Sequence, residues 1–388
     1  MKTDYFSLVA AYLLINIYLI LRTRNFLKKF HWAKKSIRSI ILVVYLVLAT
    51  LPLLGAFLPE DKGLFTFQKY GNIFLGFLAY YAMILVVGEI VLLFFHKKKE
   101  KLNKAKKIIL CVACCGSLIV NVYGTKHAQN PKLVTYDVTT SSSQNRNLKI
   151  VLLGDLHLST NSNIELTKKM VEMVNAQNAD MVLIAGDVFT SSYDGLENPE
   201  LYAAELAKMK STYGTYVVYG NHDVNETLFG GFSVDDPTIA LRPKTMDEFM
   251  VAANFHMLAD ETETFEDLGI QVVGRVDGEK NGEGAEERMS AKEVMQDTDS
   301  SYTQIVLEHE PWDFEELSEN GADLILCGHT HAGQIFPGNL IVPFFNDNGY
   351  GYKELYGVPT IVTAGVGYYG PPIRVGTNSE VTVVNLNY

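Results

Sequence analysis

Four apolar runs crowd into the first third of the chain, at residues 5–21, 37–58, 73–95 and 108–123. A helix needs about 20 mostly apolar residues to cross the hydrocarbon of a bilayer. The middle two runs meet that length easily; the outer two are shorter. A cleaved leader is a rival reading of the first run. It fits poorly, because Met1–Tyr5 holds one lysine and no small-residue cleavage pattern precedes Arg22. Residues 1–125 are therefore expected to form a membrane domain of four transmembrane helices, with the lipid bilayer as its partner.

The charges between the runs carry an orientation. Arg22, Arg24, Lys28, Lys29, Lys34, Lys35 and Arg38 separate the first two runs. Lys97, Lys98, Lys99, Lys101, Lys104, Lys106 and Lys107 separate the last two. The middle loop has only Lys62 and Lys69, beside Glu60 and Asp61. Short cationic loops stay in the cytoplasm. Both ends of the block then face outward, and the rest of the chain is expected to be extracytoplasmic, part of a multi-pass cell-membrane protein. Glu89 is a lone acid in the third run, either a functional polar site or a bundle-facing group near the interface.

Charge divides the chain as sharply as hydropathy does. Residues 1–130 hold 18 of the 33 Lys and Arg but 5 of the 44 Asp and Glu, a net +13 against −24 for the remainder. An acidic globular part argues against nucleic acid, whose phosphates reward Lys and Arg. Cys111, Cys114 and Cys115 share one apolar run and Cys327 stands apart, so no disulfide framework follows. The three clustered cysteines read as small, polarisable residues of a membrane helix rather than a redox pair.

A linker and first strand occupy 126–148, and an α/β domain fills 149–388. Short apolar, often β-branched runs at 132–138, 149–153, 181–185, 215–219, 270–273, 304–308, 324–327, 360–362 and 381–386 read as strands. Residues 163–176 and 198–209 have helical spacing. Alternation of the two implies an α/β fold. Residues 277–299 are acidic and poor in apolar side chains, a surface excursion with one short helix.

Metal-capable side chains fall at the ends of these strands. Asp155 and His157 follow 149–153, Asp187 follows 181–185, and Asn221, His222 and Asp223 follow 215–219. His309 follows 304–308, and His329 and His331 follow 324–327. Ligands bind at the carboxyl ends of strands in α/β sheets. Glycines before Asp155, Asp187, Asn221 and His329 permit tight turns. Five of the six histidines beyond residue 130 lie in these clusters; His256, the sixth, reads as structural. Two divalent ions about 4 Å apart can hold an attacking hydroxide and stabilise charge on a phosphoryl group. Mixed Asp, His and Asn ligands suit Mn2+, Fe2+/3+ or Zn2+ better than an all-oxygen Mg2+ or Ca2+ cage.

The ordered set Asp155-x-His157, Gly186-Asp187, Gly220-Asn221-His222-Asp223, His309 and Gly328-His329-x-His331 resembles the calcineurin-like metallophosphoesterase family. The runs 273–277, 328–334 and 365–367 are similar to its membrane-anchored bacterial branch. That resemblance implies a four-layer sandwich of two mixed β-sheets flanked by helices, here preceded by the transmembrane helices. It implies one metal on Asp155, His157, Asp187 and His331, and a second on Asp187, Asn221, His309 and His329, with Asp187 bridging. His222 would contact phosphoryl oxygens or protonate the leaving group, and Asp223 would orient its ring.

The function expected is hydrolysis of an extracytoplasmic phosphomono- or phosphodiester, with a phospholipid, envelope glycolipid or soluble ester as substrate. A non-enzymatic membrane receptor is the alternative, against which the intact ligand set speaks. Phe229, Phe232, Phe336, Phe344 and Phe345 could form a membrane-facing lip; buried loop packing is the expected fate. Gln334 and Tyr368 either line the site or pack behind it. Arg275 is expected to pair with nearby acids.

Overall fold

The computed structural model describes residues 2–57, 65–94, 99–140, 145–191, 193–226, 228–229, 231–233, 242–280 and 288–388. The chain divides into two compact units. One comprises Met1–Lys126 with Thr227–Asp235 and Gly370–Ile373, the other His127–Glu226, Asp236–Tyr369 and Arg374–Tyr388.

The first unit is built on four helices, α1 (Lys2–Leu27), α2 (Lys35–Phe57), α3 (Phe65–Leu93) and α4 (Lys99–Ala128). All four are long and apolar enough to cross a membrane. The outer two outrun their apolar spans, because Lys and Arg are good helix formers and helical hydrogen bonding continues past the hydrocarbon edge. Polar groups between these helices find one another, as a medium without water demands. Tyr45 Oη donates to Asn16 Oδ1 (2.6 Å), Thr23 and Tyr81 share a 2.6 Å hydrogen bond, and Asn121 Nδ2 donates to Ile73 O (2.9 Å). Glu89 has a partner of opposite charge: Arg22 Nε lies 3.1 Å from its carboxylate. The loop charges Glu60, Asp61, Lys62, Lys97 and Lys98 lie outside the described residues.

The second unit is a four-layer sandwich. Its strands, in chain order, start with β1 (Lys132–Thr139), β2 (Asn147–Leu153), β3 (Met181–Ala185) and β4 (Thr215–Val218). The two-residue strands β5 (Leu228–Phe229) and β6 (Phe232–Ser233) form a small hairpin of the first unit. Then follow β7 (Phe255–Met257), β8 (Glu261–Phe265), β9 (Ile270–Gly274), β10 (Thr303–Leu307), β11 (Leu324–Cys327), β12 (Gly351–Leu355), β13 (Val358–Val362) and β14 (Glu380–Asn387).

One sheet runs β1-β14-β2-β3-β4-β7 and the other β12-β13-β11-β10-β9-β8. Both are mixed: β2 to β4 and β9 to β11 are parallel, whereas β14 with β2 and β12 with β13 are antiparallel. Alternate side chains on each strand face opposite layers. Ile150, Leu152 and Leu183 of one sheet meet Val272, Ile305, Leu307 and Leu326 of the other in the central core. Val151, Leu153, Val182 and Ile184 face outward onto α5 (Ile164–Ala176), α6 (Pro199–Leu206) and α7 (Lys244–Ala252). Val273, Val306, Ile325 and Cys327 pack under α8 (Ala291–Gln296) and α9 (Phe314–Glu319).

Sequence spacing missed β7, β8 and β12, all at sheet edges, where half-exposed strands such as Glu-Thr-Glu-Thr-Phe carry little apolar signal. It also missed α7 and α9. His256 stacks on Tyr216 at 5.2 Å between ring centroids, a surface packing role. Arg275 is buried, with Asp313 at 3.4 Å and Asp260 and Glu308 at 3.8 Å. The expected packing of the phenylalanines is overturned. Phe344 and Phe345 are 84% and 81% exposed, and Phe336 is exposed beside Leu340 and Ile341 of the short helix α10 (Gly338–Ile341). Phe232 is exposed too; the side chain of Phe229 lies outside the described residues.

Candidate metal centre

The parallel strands of both sheets deliver the site. Asp155 and His157 leave β2, Asp187 leaves β3, and Asn221 and His222 leave β4. From the other sheet, His309 leaves β10, and His329 and His331 leave β11. Five of these residues take left-handed backbone: Asp155 (φ 51°), His157 (φ 47°), Asp187 (φ 53°), His329 (φ 71°) and His331 (φ 51°). Such residues each carry strain on the order of 1 kcal/mol. Sequence reasoning gave the tight turns to the preceding glycines. Of those four, only Gly186 has positive φ (72°); the ligands themselves turn the chain. Gly220 and Gly328 instead allow close approach. A Cβ on Gly220 would collide with the Asp187 carboxylate, and one on Gly328 would lie 3.0 Å from Asp155 Oδ2.

The side chains converge. Buried Asp155, His157 and His331 bring their ligand atoms within 4.8 Å of one another, and so do buried Asp155, Asp187 and His309. Asp187 Oδ2 lies 3.5 Å from His157 Nε2 and 3.2 Å from His309 Nε2. His309 Nε2 is also 3.1 Å from Asn221 Oδ1 and 3.3 Å from His329 Nδ1. All seven expected ligands are thus brought together, and both carboxylates sit between the two poles.

Surrounding groups aim these atoms. The backbone N–H of His329 donates to Asp155 Oδ1 (3.0 Å), and that of His222 donates to Asp187 Oδ1 (2.8 Å). His309 Nδ1 donates to Ala185 O (2.8 Å), which turns Nε2 inward. Asn221 Nδ2 donates to Glu279 Oε2 (2.8 Å), which presents its oxygen. His157 Nδ1 meets Thr190 Oγ1 at 2.9 Å. Such outer partners fix ligand orientation. Fully buried Arg374 stands behind His331. It donates to the carbonyls of Ala364 (2.7 Å), Gly367 (2.7 Å) and Asn378 (2.8 Å), and its Nη2 is 3.2 Å from His331 Nδ1.

The electrostatics fit cation binding. Burial drives His157 and His329 down to about 3 and His331 well below its ordinary range, so these imidazoles keep lone pairs at neutral pH. Burial pushes Asp155 up to about 7. Asp187 goes the other way: burial opposes ionisation, but the neighbouring His309 and His222 side chains hold it well below the carboxylate range. Asp155 Oδ2 is buried with no hydrogen-bond partner among the described residues. A buried orphan oxygen among imidazole nitrogens suits a divalent cation.

One expected role is corrected. Asp223 does not orient His222: its two oxygens accept from the N–H groups of Phe189 (2.7 Å) and Gly220 (2.8 Å), tying the β3 and β4 loops together. The His222 ring instead meets Ser191 Oγ at 3.1 Å and the Glu226 carboxylate at 3.8 Å. Tyr368 faces away from the cluster and donates to Asn161 O (3.1 Å). Its neighbour Tyr369 stacks on His222 at 4.3 Å and lies 5.4 Å from His157. Gln334 clamps that tyrosine, donating to Tyr369 O (2.8 Å) and accepting from Tyr369 N–H (2.9 Å). Tyr369, Arg374, Glu226 and Glu279 were not read from the sequence, since no spacing marks a residue that acts through another.

The family model of the calcineurin-like phosphoesterases matches residues 148–333. The chain is 32% identical over 265 residues to an uncharacterised metallophosphoesterase of Campylobacter jejuni, covering 66% of this chain and 64% of that one. It is 29% identical over 297 residues to a transmembrane protein with a metallophosphoesterase domain from Bos taurus, covering 72% and 63%. An uncharacterised metallophosphoesterase of Bacillus subtilis is 27% identical over 260 residues, 61% of this chain and 78% of its own. The match thus spans less than two thirds of the Campylobacter and cattle proteins. With strand order, ligand geometry and family model in agreement, the chain carries a domain of the calcineurin-like metallophosphoesterase family.

Proposed function

We propose that the protein is a membrane-anchored, two-metal phosphoester hydrolase whose substrate is an extracytoplasmic lipid or envelope phosphoester. The observation that carries this reading is the convergence of Asp155, His157 and His331 at one pole and of Asp155, Asp187 and His309 at the other. Asn221 and His329 complete the second pole. Divalent cations bound there would supply Lewis-acid polarisation of phosphoryl oxygens and lower the pKa of a water. The chain's own groups do the rest. Asp155 and Asp187 balance the cationic charge. His222, stacked on Tyr369 at the edge of the cluster, is placed to hand a proton to the departing oxygen.

Two features support the location and the substrate class. The basic loops on either side of the middle hairpin favour an outward-facing C-terminal unit. The uncharged, exposed stretch of Phe336, Leu340, Ile341, Phe344 and Phe345 begins five residues after His331, and an exposed apolar patch of that kind suits a lipid. Trp312, also exposed, lies 5.8 Å from His329.

The test is a screen of the full chain in nanodiscs, loaded in turn with Mn2+, Fe2+ and Zn2+, on lipid-linked and soluble mono- and diesters. Turnover of lipid-linked esters above their soluble counterparts supports the proposal. Metal binding without any turnover would overturn it in favour of a receptor. A reporter fused after Tyr388 checks the side of the membrane; cytoplasmic activity of that reporter would overturn the orientation.

A further inference from the structure

Behind His222 lies a chain of polar contacts that the two-metal reading does not use. The backbone N–H of Ser191 donates to His222 O (2.8 Å), and that of Glu226 donates to Ser191 O (2.8 Å). Ser191, with left-handed φ of 51°, is thereby pinned between the histidine and the glutamate. Its hydroxyl donates to Glu226 Oε2 (2.9 Å) and meets His222 Nδ1 at 3.1 Å. The other glutamate oxygen, Oε1, lies 2.7 Å from Lys280 Nζ. Ser191, Glu226 and Lys280 are all buried. Glu226 and Lys280 come from the loops after β4 and β9, so both sheets contribute to the chain.

Counting protons fixes its direction. A serine hydroxyl has one hydrogen. Donated to Glu226, it leaves only a lone pair facing His222, so His222 Nδ1 must carry the proton and donate. Lys280 keeps Glu226 anionic, because a buried carboxylate without a cation would neutralise. A neutral Glu226 would no longer demand the serine hydrogen, and the ring would lose its directional partner.

We infer that Glu226, held by Lys280 and acting through Ser191, is the positioning residue for His222, setting its ring so that Nε2 is the atom offered to the leaving-group oxygen. This rests on the proposed hydrolase reading for its kinetic consequence, though not for its structural one. No step here changes oxidation state. In its doubly protonated form His222 passes the Nε2 proton to the departing alkoxide as the P–O bond breaks, keeps the Nδ1–H that faces Ser191, and regains the Nε2 proton from solvent.

The kinetic test uses the full chain with Mn2+ and a matched pair of aryl phosphoesters, p-nitrophenyl and phenyl. The phenyl ester has the poorer leaving group and needs the proton more. Glu226→Gln, Ser191→Ala and Lys280→Met should each lower kcat for the phenyl ester on the order of tenfold. The p-nitrophenyl ester should lose much less, and KM and metal content should not change. Lys280→Arg should restore the phenyl rate, and Ser191→Ala combined with Glu226→Gln should lose no more than either alone. Equal losses on both esters, lost metal, or additive losses would overturn the inference.

A second measurement does not depend on turnover. In the Zn2+-loaded full chain labelled with 15N-histidine, His222 is assigned by its loss in His222→Asn. At a pH where the ring is neutral, it should show a single Nδ1–H tautomer that becomes mixed in Ser191→Ala. An unchanged tautomer would overturn the inference. Absence of turnover in the wild type would overturn only the hydrolase reading, and the tautomer would then decide the positioning alone.

Discussion

Nε2 of His157 lies 2.9 Å from Nε2 of His331, across 174 residues of chain. Two imidazole nitrogens come so close when a proton sits between them or a cation takes both lone pairs. Substituting either residue with alanine should therefore cost one ion and spare the other. Elemental analysis of purified protein should fall from about two ions per chain to about one. Loss of both ions on His331→Ala would show that the poles are not separable, whereas Asp187→Ala is expected to empty both.

The corrected place of Asp223 makes a prediction opposite to its expected role. Asp223→Ala leaves the buried N–H groups of Phe189 and Gly220 without their acceptor. The cost should be about 3 kcal/mol of stability for two unsatisfied donors. Calorimetry should show the loss, while the phenyl to p-nitrophenyl rate ratio stays at the wild-type value. A changed ratio at unchanged stability would return Asp223 to the histidine.

Arg374 is the buried cation at the back of the site. Burial lowers its pKa to about 10, and its donors serve the carbonyls of Ala364, Gly367 and Asn378. Arg374→Met keeps the volume but strands those oxygens, at a cost of about 3 kcal/mol or more. Denaturant unfolding of the full chain in detergent would measure it. A neutral substitution would mean that the loop at 364–367 needs no such clamp.

Buried acids give the metal-free protein an inverted pH dependence. Burial raises Glu308 to about 7 and Glu310 to about 8, with Asp223 at about 6. Each holds its proton when folded at pH values where the unfolded chain has lost it. These acids bind more protons in the folded state between about pH 4 and 8; the lowered His157, His329 and His331 oppose them below about pH 6.5, so the fall in stability is steepest as pH rises from about 6.5 to 8. Thermal unfolding of chelator-treated protein should show a lower Tm at about pH 8 than at about pH 6.5. Asp155, raised to about 7, must lose its proton to bind a cation, so added Mn2+ should stabilise more at the higher pH. A Tm that climbs over that range in the metal-free state would contradict this.

Phe344 and Phe345 are too exposed to serve the core. Phe344→Ser combined with Phe345→Ser should leave Tm unchanged and lower turnover of a lipid-linked ester in nanodiscs several-fold, with soluble esters unaffected. Equal effects on both substrates would remove the lipid argument.

Strand ends were the most legible part of the sequence. Short β-branched runs buried on both faces cannot be read as much else, and four of the five that deliver the site ended in a Gly-Asp, Gly-Asn-His or Gly-His signal, the strand before His309 being the exception. The edge strands β8 and β12 escaped because half their side chains face water. The neighbours Tyr368 and Tyr369 show a second limit. Identical residues one position apart point to different sides, and only the Gln334 clamp on the Tyr369 backbone decides which meets His222. The third limit is indirect action. Glu226 and Lys280 touch the site through a serine, from two loops far apart in sequence, and no local pattern marks that.

Asp155, Asp187 and Asn221 leave one sheet, whereas His309, His329 and His331 leave the other. A cation shared between them would work as a rivet through the sandwich, and His157 with His331 would close a loop of 174 residues. Long closed loops remove the most freedom from an unfolded chain. Occupancy of the centre would then be felt well beyond the loops, as slower amide exchange in the central strands β3 and β10, where the two halves of the sandwich meet.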